Sequence, residues 1–165
     1  VGSEMCIRDS FLTGYTAKVA GTERGVTAPQ ATFSSCFGSA FLPRPPAAYA
    51  ALLRERLRAH GARVYLVNTG WSGGGSDSED GARLPLATTR ACIERVLDGT
   101  VDDAPTVIDE IFGFEVPCSL GAGLDASVLL PSRAWADREA YDMHAHDLAS
   151  RLARARKDAQ RGNAT

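Results

Sequence analysis

The segment Ala47–Val67, AAYAALLRERLRAHGARVYLV, gives the clearest indication of the fold. Its first part predicts an amphipathic helix, because charged residues mostly lie opposite an apolar stripe formed by Tyr49, Leu52, Leu53 and Leu57. Pro46 suits the first turn of this helix and Gly61 its end. The run Val64–Val67 is short, apolar and β-branched, and predicts a buried strand. A helix, a short link and a buried strand in succession indicate a layered α/β domain.

Three segments farther along the chain have patterns of their own. The segment 88–98 predicts a second helix that Gly99 ends, with an apolar face of Ala91, Ile93, Val96 and Leu97. The segment 106–116 alternates imperfectly and indicates one or two short strands. Asp137–Lys157 predicts a long final helix whose apolar stripe is Tyr141, Ala145, Leu148 and Leu152. Gly70–Gly81 is rich in glycine, serine and acidic residues, and we interpret it as a flexible loop or short linker.

Composition excludes several classes of function. The chain has 165 residues, of which 44% are hydrophobic and 23% charged, as in an ordinary globular protein. Its net charge of −2 provides no excess of positive charge for binding nucleic acid or an anionic membrane surface. No apolar run approaches the roughly 20 residues that span a bilayer. We therefore expect neither nucleic acid nor a membrane as a partner.

Cysteine and histidine spacing gives no indication of a metal site. The four cysteines are widely spaced and include no close pair; they are Cys6, Cys36, Cys92 and Cys118. This spacing fits neither a disulfide framework nor zinc, so we expect reduced, buried thiols in a cytosolic protein. His144 and His146 form an H-x-H pair, which binds metal on a strand. In a helical pattern residues two apart point in different directions, so we expect solvated histidines.

Five blocks of sequence resemble one enzyme family, and they occur in that family's order. They are Phe11–Pro43 (FLTGYTAKVAGTERGVTAPQATFSSCFGSAFLP), Val64–Trp71 (VYLVNTGW), Arg83–Arg90 (RLPLATTR), Ile111–Pro117 (IFGFEVP) and Trp135–Asp137 (WAD). Together they make the chain resemble the ATP-dependent phosphoenolpyruvate carboxykinases from Phe11 to about Arg156. The resemblance implies an α/β fold in which residues 11–165 are a C-terminal fragment of the mononucleotide-binding C-terminal domain, ending in a long helix.

The first ten residues, VGSEMCIRDS, stand apart from this resemblance. They match nothing in the family, and they have neither the basic head nor the apolar body of a secretory signal. We interpret residues 1–10 as a non-native leader from cloning or sequence assembly. A short native tail is the alternative.

The first block contains the segment that closes over the active site in the resembled family. Its lid corresponds here to residues 21–29, and the lid residues are Gly21, Thr22, Glu23, Arg24 and Gly25. The glycines permit the backbone rearrangement that an opening and closing loop needs. Arg24 is the expected ligand-facing or latch residue, with Glu23 as its partner. The alternative is a polar surface turn with an exposed ion pair, and Ala28 departs from the glutamate common in relatives.

The third block corresponds to the family's adenosine-binding stretch, residues 83–90. The resemblance assigns nucleotide contacts to Arg83, Leu84 and Thr89. A guanidinium can stack on adenine, Leu84 can offer an apolar wall or backbone contact, and the Thr89 hydroxyl can bond to adenosine. The alternatives are a surface arginine and a helix-start hydroxyl. Phe41 and Trp71 are candidate pocket walls, with simple core residues as the alternative.

The surroundings of the adenosine stretch depart from the family in two ways. Ala82 stands where relatives often have a basic residue, and the preceding loop is longer and contains three acids, Asp77, Glu79 and Asp80. Acids beside a polyanionic nucleotide are unfavourable, so we expect them to face solvent.

The implied reaction converts oxaloacetate and ATP to phosphoenolpyruvate, carbon dioxide and ADP, in cytoplasmic gluconeogenesis, with Mg²⁺ and Mn²⁺. A phosphate-binding G-x-x-x-x-G-K-[ST] loop is absent, and neither Lys18 nor Lys157 follows a glycine. The family's metal ligands lie upstream of the resembled region, so we expect no catalytic or metal residues here and an inactive isolated chain. For activity the chain would need the missing N-terminal part of the enzyme. Without that part it would expose apolar surface that the rest of the domain covers. The alternative is a non-catalytic nucleotide-binding or interaction module.

Overall fold

The computed structural model describes residues 4–18, 24–27, 29–76, 78–121 and 123–161, with side chains from residue 7 onward. Backbone contacts divide the chain into two units. The first contains the described residues up to Val64 together with those from Asp147 onward, and the second contains Tyr65–His146. Each unit is described by itself.

The first unit begins with a helix and a two-stranded hairpin. Helix α1 is Glu4–Thr13, and strand β1, Tyr15–Lys18, pairs antiparallel with β2, Gln30–Phe33. Gly14 joins α1 to β1 at φ +55°, where a Cβ atom would lie 1.7 Å from the carbonyl oxygen of Ser34. Only glycine fits this turn, because both its backbone conformation and the close approach exclude a side chain.

The segment 4–10, which we interpreted as part of a leader, is helical and pairs within this unit. Arg156 Nη1 lies 2.7 Å from Asp9 Oδ2. The origin of residues 1–10 stays a prediction, since helix formation does not identify where a segment came from.

Helix α2, Pro46–His60, confirms the helix predicted from the apolar stripe. It follows two 3-10 turns, Ser35–Phe37 and Ser39–Phe41. Pro46 is its first residue, and Gly61 ends it in the left-handed conformation at φ +60°, with a backbone hydrogen bond to Leu57. Ala50 is buried where α2 packs against α1.

The prediction of a buried strand at Val64–Val67 is wrong. Residues 62–69 have no regular secondary structure, and Leu66 and Val67 are 50% and 44% exposed. A strand needs a neighbouring strand to satisfy its backbone groups, and no described segment forms a ladder with this one. Its apolar exposure agrees with the apolar surface expected of a partial domain.

The second unit begins with strands β3, Trp71–Ser72, and β4, Ala82–Arg83, which pair antiparallel. Helix α3, Leu86–Leu97, follows and confirms the second predicted helix. Strands β5, Thr106–Ile108, and β6, Glu115–Pro117, pair antiparallel and confirm the short strands predicted within 106–116. Two short helices complete this part, α4, Ala126–Leu129, and α5, Pro131–Ala134.

The core of the second unit lies beneath α3. Val101, Leu120 and Leu124 are buried, and the partly buried residues around them include Tyr65, Ala91, Cys92 and Val96. The predicted apolar face of α3 is wrong for Ile93 and Leu97, which are 43% and 80% exposed. The core meets the side of α3 that carries residues 91, 92 and 96, so residues 93 and 97 lie farther round the helix.

Helix α6, Arg138–Gln160, confirms the long final helix. The Asp137 carboxylate accepts hydrogen bonds from the backbone N–H groups of Glu139 and Ala140, at 2.9 and 3.1 Å. Tyr141 and Ala145 of the predicted stripe are buried. The described elements therefore form a mixed helix and strand architecture, consistent with the α/β class, although every strand pair described is antiparallel. Within the described ranges, no helix is long and apolar enough to cross a membrane.

Candidate functional site

The β3–β4 hairpin holds the side chains of Arg83 and Trp71 together. The two residues are register partners across the ladder, and the guanidinium carbon of Arg83 lies 5.5 Å from the centroid of the Trp71 ring. Directly opposite residues of an antiparallel pair share one face of the sheet, which places the cation over the indole. Trp71 is half-buried and Arg83 is exposed. The contact therefore orients an arginine that solvent and ligands can still reach.

The described residues between these strands form a closely packed loop, so of the two interpretations of Gly70–Gly81 the loop holds and the linker is wrong. A Cβ atom on Gly81 would lie 1.9 Å from the carbonyl oxygen of Gly75, and one on Gly74 would lie 2.1 Å from Ser78 Oγ. Ser78 Oγ donates to the Gly75 carbonyl at 3.1 Å. The glycines are required because backbone approaches backbone closely, and they fix the shape of the hairpin.

Two of the three acids of this loop face solvent, as we expected. Glu79 and Asp80 are exposed, and Asp77 lies outside the described residues.

Leu84 and Thr89 lie at the junction between β4 and α3. The Leu84 N–H donates to the Gly70 carbonyl at 2.8 Å, which extends the hairpin by one hydrogen bond. Thr89 is half-buried near the start of α3, and its N–H donates to the Pro85 carbonyl at 3.3 Å. Pro85 occupies the N-cap position without a side-chain cap, so Thr89 does not cap the helix. The structure thus brings Arg83, Leu84 and Thr89 to one strand-to-helix junction.

The far end of α3 is fixed by polar contacts that surround Asp98. The Thr100 N–H donates to Asp98 Oδ1 at 2.9 Å, and Arg95 Nη1 lies 2.8 Å from Asp98 Oδ2. Hydrogen bonds from the Thr100 side chain and backbone, assisted by Arg95, lower the pKa of Asp98. These contacts stabilise the turn that leads from α3 into the core.

One contact at the core of the second unit was not predicted. The Tyr65 hydroxyl donates a hydrogen bond to the Asp102 carboxylate, 37 positions along the chain. No local pattern signals such a pairing, because it joins an irregular segment to a turn beyond α3.

The segment predicted to be a lid, residues 21–29, lies in the first unit, between strands β1 and β2, whose ladder ends at the pair Lys18 and Gln30. Gly21, Thr22, Glu23 and Ala28 lie outside the described residues. Arg24 is exposed, and Gly25 has φ +87° with no atom within 4 Å of a Cβ position. Because the lid and the adenosine stretch belong to different units, their relative placement is not described.

The two candidate aromatic walls differ in environment. Phe41 belongs to the first unit and is 88% exposed, so the alternative that it is a core residue is wrong. Trp71 belongs to the second unit and contacts Arg83.

The described cysteine side chains are half-buried and not fully buried as expected, whereas the two histidines are solvent-exposed as expected. Cys36, Cys92 and Cys118 are free thiols, and burial raises the pKa of Cys36 and of Cys92. His144 and His146 are both exposed on α6. Within the described part of the chain, no three His, Cys, Asp or Glu residues are grouped to hold a metal ion.

Comparison with known proteins identifies the family. The family model described as phosphoenolpyruvate carboxykinase, of the ATP type, matches residues 7–125. The chain is 51% identical over 140 residues to "Phosphoenolpyruvate carboxykinase (ATP)" of Bacillus pumilus, covering 85% of this chain and 26% of the relative. It is 53% identical over 139 residues to the protein of the same name from Thermus thermophilus, with 84% and 26% covered.

A third relative agrees with these two. "Phosphoenolpyruvate carboxykinase (ATP) 2" of Moorella thermoacetica is 52% identical over 143 residues, with 87% of this chain and 27% of the relative covered. The chain thus spans about a quarter of the length of the curated relatives that it matches, as expected for a fragment. The match covers the β3–β4 hairpin, the start of α3 and the lid segment. The chain belongs to the ATP-dependent phosphoenolpyruvate carboxykinase family.

Proposed function

We propose that this chain is the C-terminal part of an enzyme that converts oxaloacetate and ATP to phosphoenolpyruvate, carbon dioxide and ADP. The main support for this proposal is the position of Arg83, whose guanidinium lies over the Trp71 ring at a strand-to-helix junction. This junction occurs in a chain that is about 50% identical to enzymes named phosphoenolpyruvate carboxykinase (ATP). In this proposal the chain supplies the adenosine contacts and the lid of a mononucleotide-binding domain.

The adenosine contacts divide among the three residues of the junction. The Arg83 guanidinium stacks on the adenine face, and its N–H groups reach polar edges of the nucleotide. Leu84 offers an apolar side chain, while its N–H is already bonded to Gly70. The half-buried Thr89 directs its hydroxyl to the adenosine. Stacking on Trp71 reduces the freedom of Arg83 before the nucleotide binds, which lowers the entropy cost of binding.

The lid excludes water from the reaction. It is the connection between β1 and β2, and the ring contact of Tyr15 with Phe33, 5.4 Å between centroids, holds the base of that hairpin. Closure protects the enolate left by decarboxylation from protonation by solvent. Arg24 acts as the latch of the closed lid, with Glu23 as its partner.

The phosphate cradle and the Mg²⁺ and Mn²⁺ sites belong to the part of the enzyme that precedes these residues. The described residues do not fit a divalent cation, because they offer no group of three acidic, histidine or cysteine ligands. Metal ions at such a reaction neutralise developing phosphoryl charge. We further propose that the isolated chain has no activity, and that the whole enzyme works in cytoplasmic gluconeogenesis.

The test starts from the gene. The source DNA upstream of this coding sequence is read, and the longest protein in frame is expressed and assayed for phosphoenolpyruvate formation from oxaloacetate and ATP. We expect turnover by the long protein and none by the 165 residues alone. Absence of turnover in a folded long protein would contradict the proposal, and ATP binding without turnover would favour a non-catalytic module.

A further inference from the structure

Tyr65 connects an irregular segment to the core of the second unit. Its ring packs against the buried cluster of Val101, Leu120 and Leu124, and its hydroxyl donates to the carboxylate of Asp102. Tyr65 and Asp102 are both half-buried. A hydrogen bond to a charged acceptor that is partly shielded from water is stronger than a neutral bond at the surface.

The acceptor is held firmly. Asp102 ends the 3-10 turn Thr100–Asp102, and its own N–H donates to the Gly99 carbonyl at 3.0 Å. Gly99 precedes this turn at φ +83°, and the neighbouring Val101 is only 7% exposed. The backbone that carries the Asp102 carboxylate is therefore fixed next to the end of α3 and to the core.

The donor, Tyr65, lies within a segment that has no ladder of its own. Residues 62–69 lack regular secondary structure, and directly beyond them Gly70 accepts the Leu84 N–H and Trp71 pairs with Arg83. Without ladder hydrogen bonds, such a segment retains many backbone conformations unless side chains restrict it. Those conformations would move the β3–β4 hairpin relative to α3, which carries Thr89.

We propose that the Tyr65–Asp102 hydrogen bond positions the nucleotide site, by fixing the β3–β4 hairpin that carries Arg83 against the helix that carries Thr89. The inference rests on the proposed adenosine site. Tyr65 is a positioning residue, because it acts through Trp71 and Arg83 and does not itself contact nucleotide.

The kinetic test uses the full-length protein that contains this chain. Tyr65→Phe keeps the ring in the core and removes only the donor. If the hairpin then spends between a third and a tenth of its time in the binding arrangement, the KM and Kd for ATP rise about threefold to tenfold. The KM for oxaloacetate and kcat stay within about twofold, since a uniform loss of nucleotide binding leaves the chemical step unchanged.

Variants of the acceptor separate positioning from simple destabilisation. Asp102→Asn retains an amide oxygen that accepts from Tyr65 but forms the weaker neutral bond, so its Kd for ATP lies between those of the wild type and Tyr65→Phe. Asp102→Ala has no acceptor, so its Kd for ATP rises at least as much as that of Tyr65→Phe, and the double variant loses less affinity than the sum of the two single losses. Tyr49→Phe removes the same hydroxyl from a half-buried tyrosine of the first unit and leaves ATP binding unchanged.

A second readout does not depend on nucleotide. Amide hydrogen exchange, followed by mass spectrometry of the peptide spanning 70–84, becomes faster in Tyr65→Phe and stays as in the wild type in Tyr49→Phe. Unchanged exchange there, or equal increases of the KM for ATP and for oxaloacetate, would overturn the inference. If the wild-type protein binds no ATP, the proposed function fails, and the exchange rates alone still show whether this bond fixes the hairpin.

Discussion

The guanidinium carbon of Arg83 lies 5.5 Å from the ring centroid of Trp71, and the two residues are direct partners across the β3–β4 ladder. Their side chains meet because opposite residues of an antiparallel pair project from the same face. The register of the hairpin therefore places the Arg83 side chain next to the Trp71 ring. The hydrogen bond from the Leu84 N–H to the Gly70 carbonyl extends the pairing of the two strands by one residue. Trp71 and Arg83 can be substituted separately to test this contact.

Replacing the aromatic partner weakens nucleotide binding. In the full-length protein, Trp71→Leu frees Arg83 from the ring, so the Kd for ATP rises about threefold to fivefold, the value of an exposed cation–π contact. Trp71→Phe retains an aromatic ring, so its Kd for ATP rises by less. Trp135→Leu is the matched control, since Trp135 contacts Tyr141 and His144 instead, and its Kd for ATP stays at the wild-type value. Isothermal titration calorimetry measures all three, and an unchanged Kd in Trp71→Leu would count against the role of the stack.

A methyl group at Gly81 destabilises the protein. The added Cβ would meet the Gly75 carbonyl at 1.9 Å, so Gly81→Ala forces the loop apart and costs about 1–3 kcal/mol of unfolding free energy. At Gly70, which directly precedes β3 in the same hairpin, an added Cβ would have no atom within 4 Å, so Gly70→Ala changes stability by less than about 0.5 kcal/mol. Urea denaturation distinguishes the two. Equal stability of both variants would mean that the loop does not hold this packing.

Neutralising the acidic loop does not weaken nucleotide binding. Glu79 and Asp80 are exposed, and the triple change of Asp77, Glu79 and Asp80 to their amides removes negative charge near a polyanionic ligand. The Kd for ATP is therefore unchanged or lower, with any gain disappearing at high salt. Clear weakening in the triple variant would instead indicate a metal-linked role for this loop.

The pH dependence of stability includes a contribution from Asp98. Its pKa is lowered in the folded chain, mainly by hydrogen bonds from Thr100, so the folded state favours the carboxylate. This contribution is present above the pKa of the unfolded chain, near 3.9, and is lost as pH falls through the lower pKa of the folded chain. Asp98→Asn therefore makes the fall in stability below about pH 4 shallower. Urea midpoints measured from pH 2.5 to 7 test this, and parallel curves would exclude the effect.

Sequence predicted the helices because their signals are local. The Pro46–His60 helix needed only an apolar stripe with proline and glycine at its ends, and α3 and α6 were recognised in the same way. The strand predicted at Val64–Val67 failed because strand formation depends on a partner, which an apolar run cannot specify. The linker interpretation of the glycine-rich segment was wrong for a related reason. Composition cannot distinguish glycines that add freedom from glycines that permit close backbone packing, as at Gly81.

Only part of the candidate site could be predicted from the sequence. Arg83, Leu84 and Thr89 were named through family resemblance, and their shared junction follows from the short link between β4 and α3. The stacking of Arg83 on Trp71 depends on hairpin register, and the Tyr65–Asp102 bond joins residues 37 positions apart. Such contacts follow from tertiary packing, so no local spacing predicts them.

The most direct test of the central claim, that Arg83 binds the adenosine of ATP, compares two ligands on the full-length protein. Affinities for ATP and for inorganic triphosphate are measured in the wild type, in Arg83→Leu and in Arg44→Leu, an exposed arginine of the first unit. The account predicts that Arg83→Leu lowers the affinity for ATP about tenfold and the affinity for triphosphate by less than about twofold, while Arg44→Leu changes neither affinity. Equal weakening of both ligands, or no weakening of ATP, would contradict it.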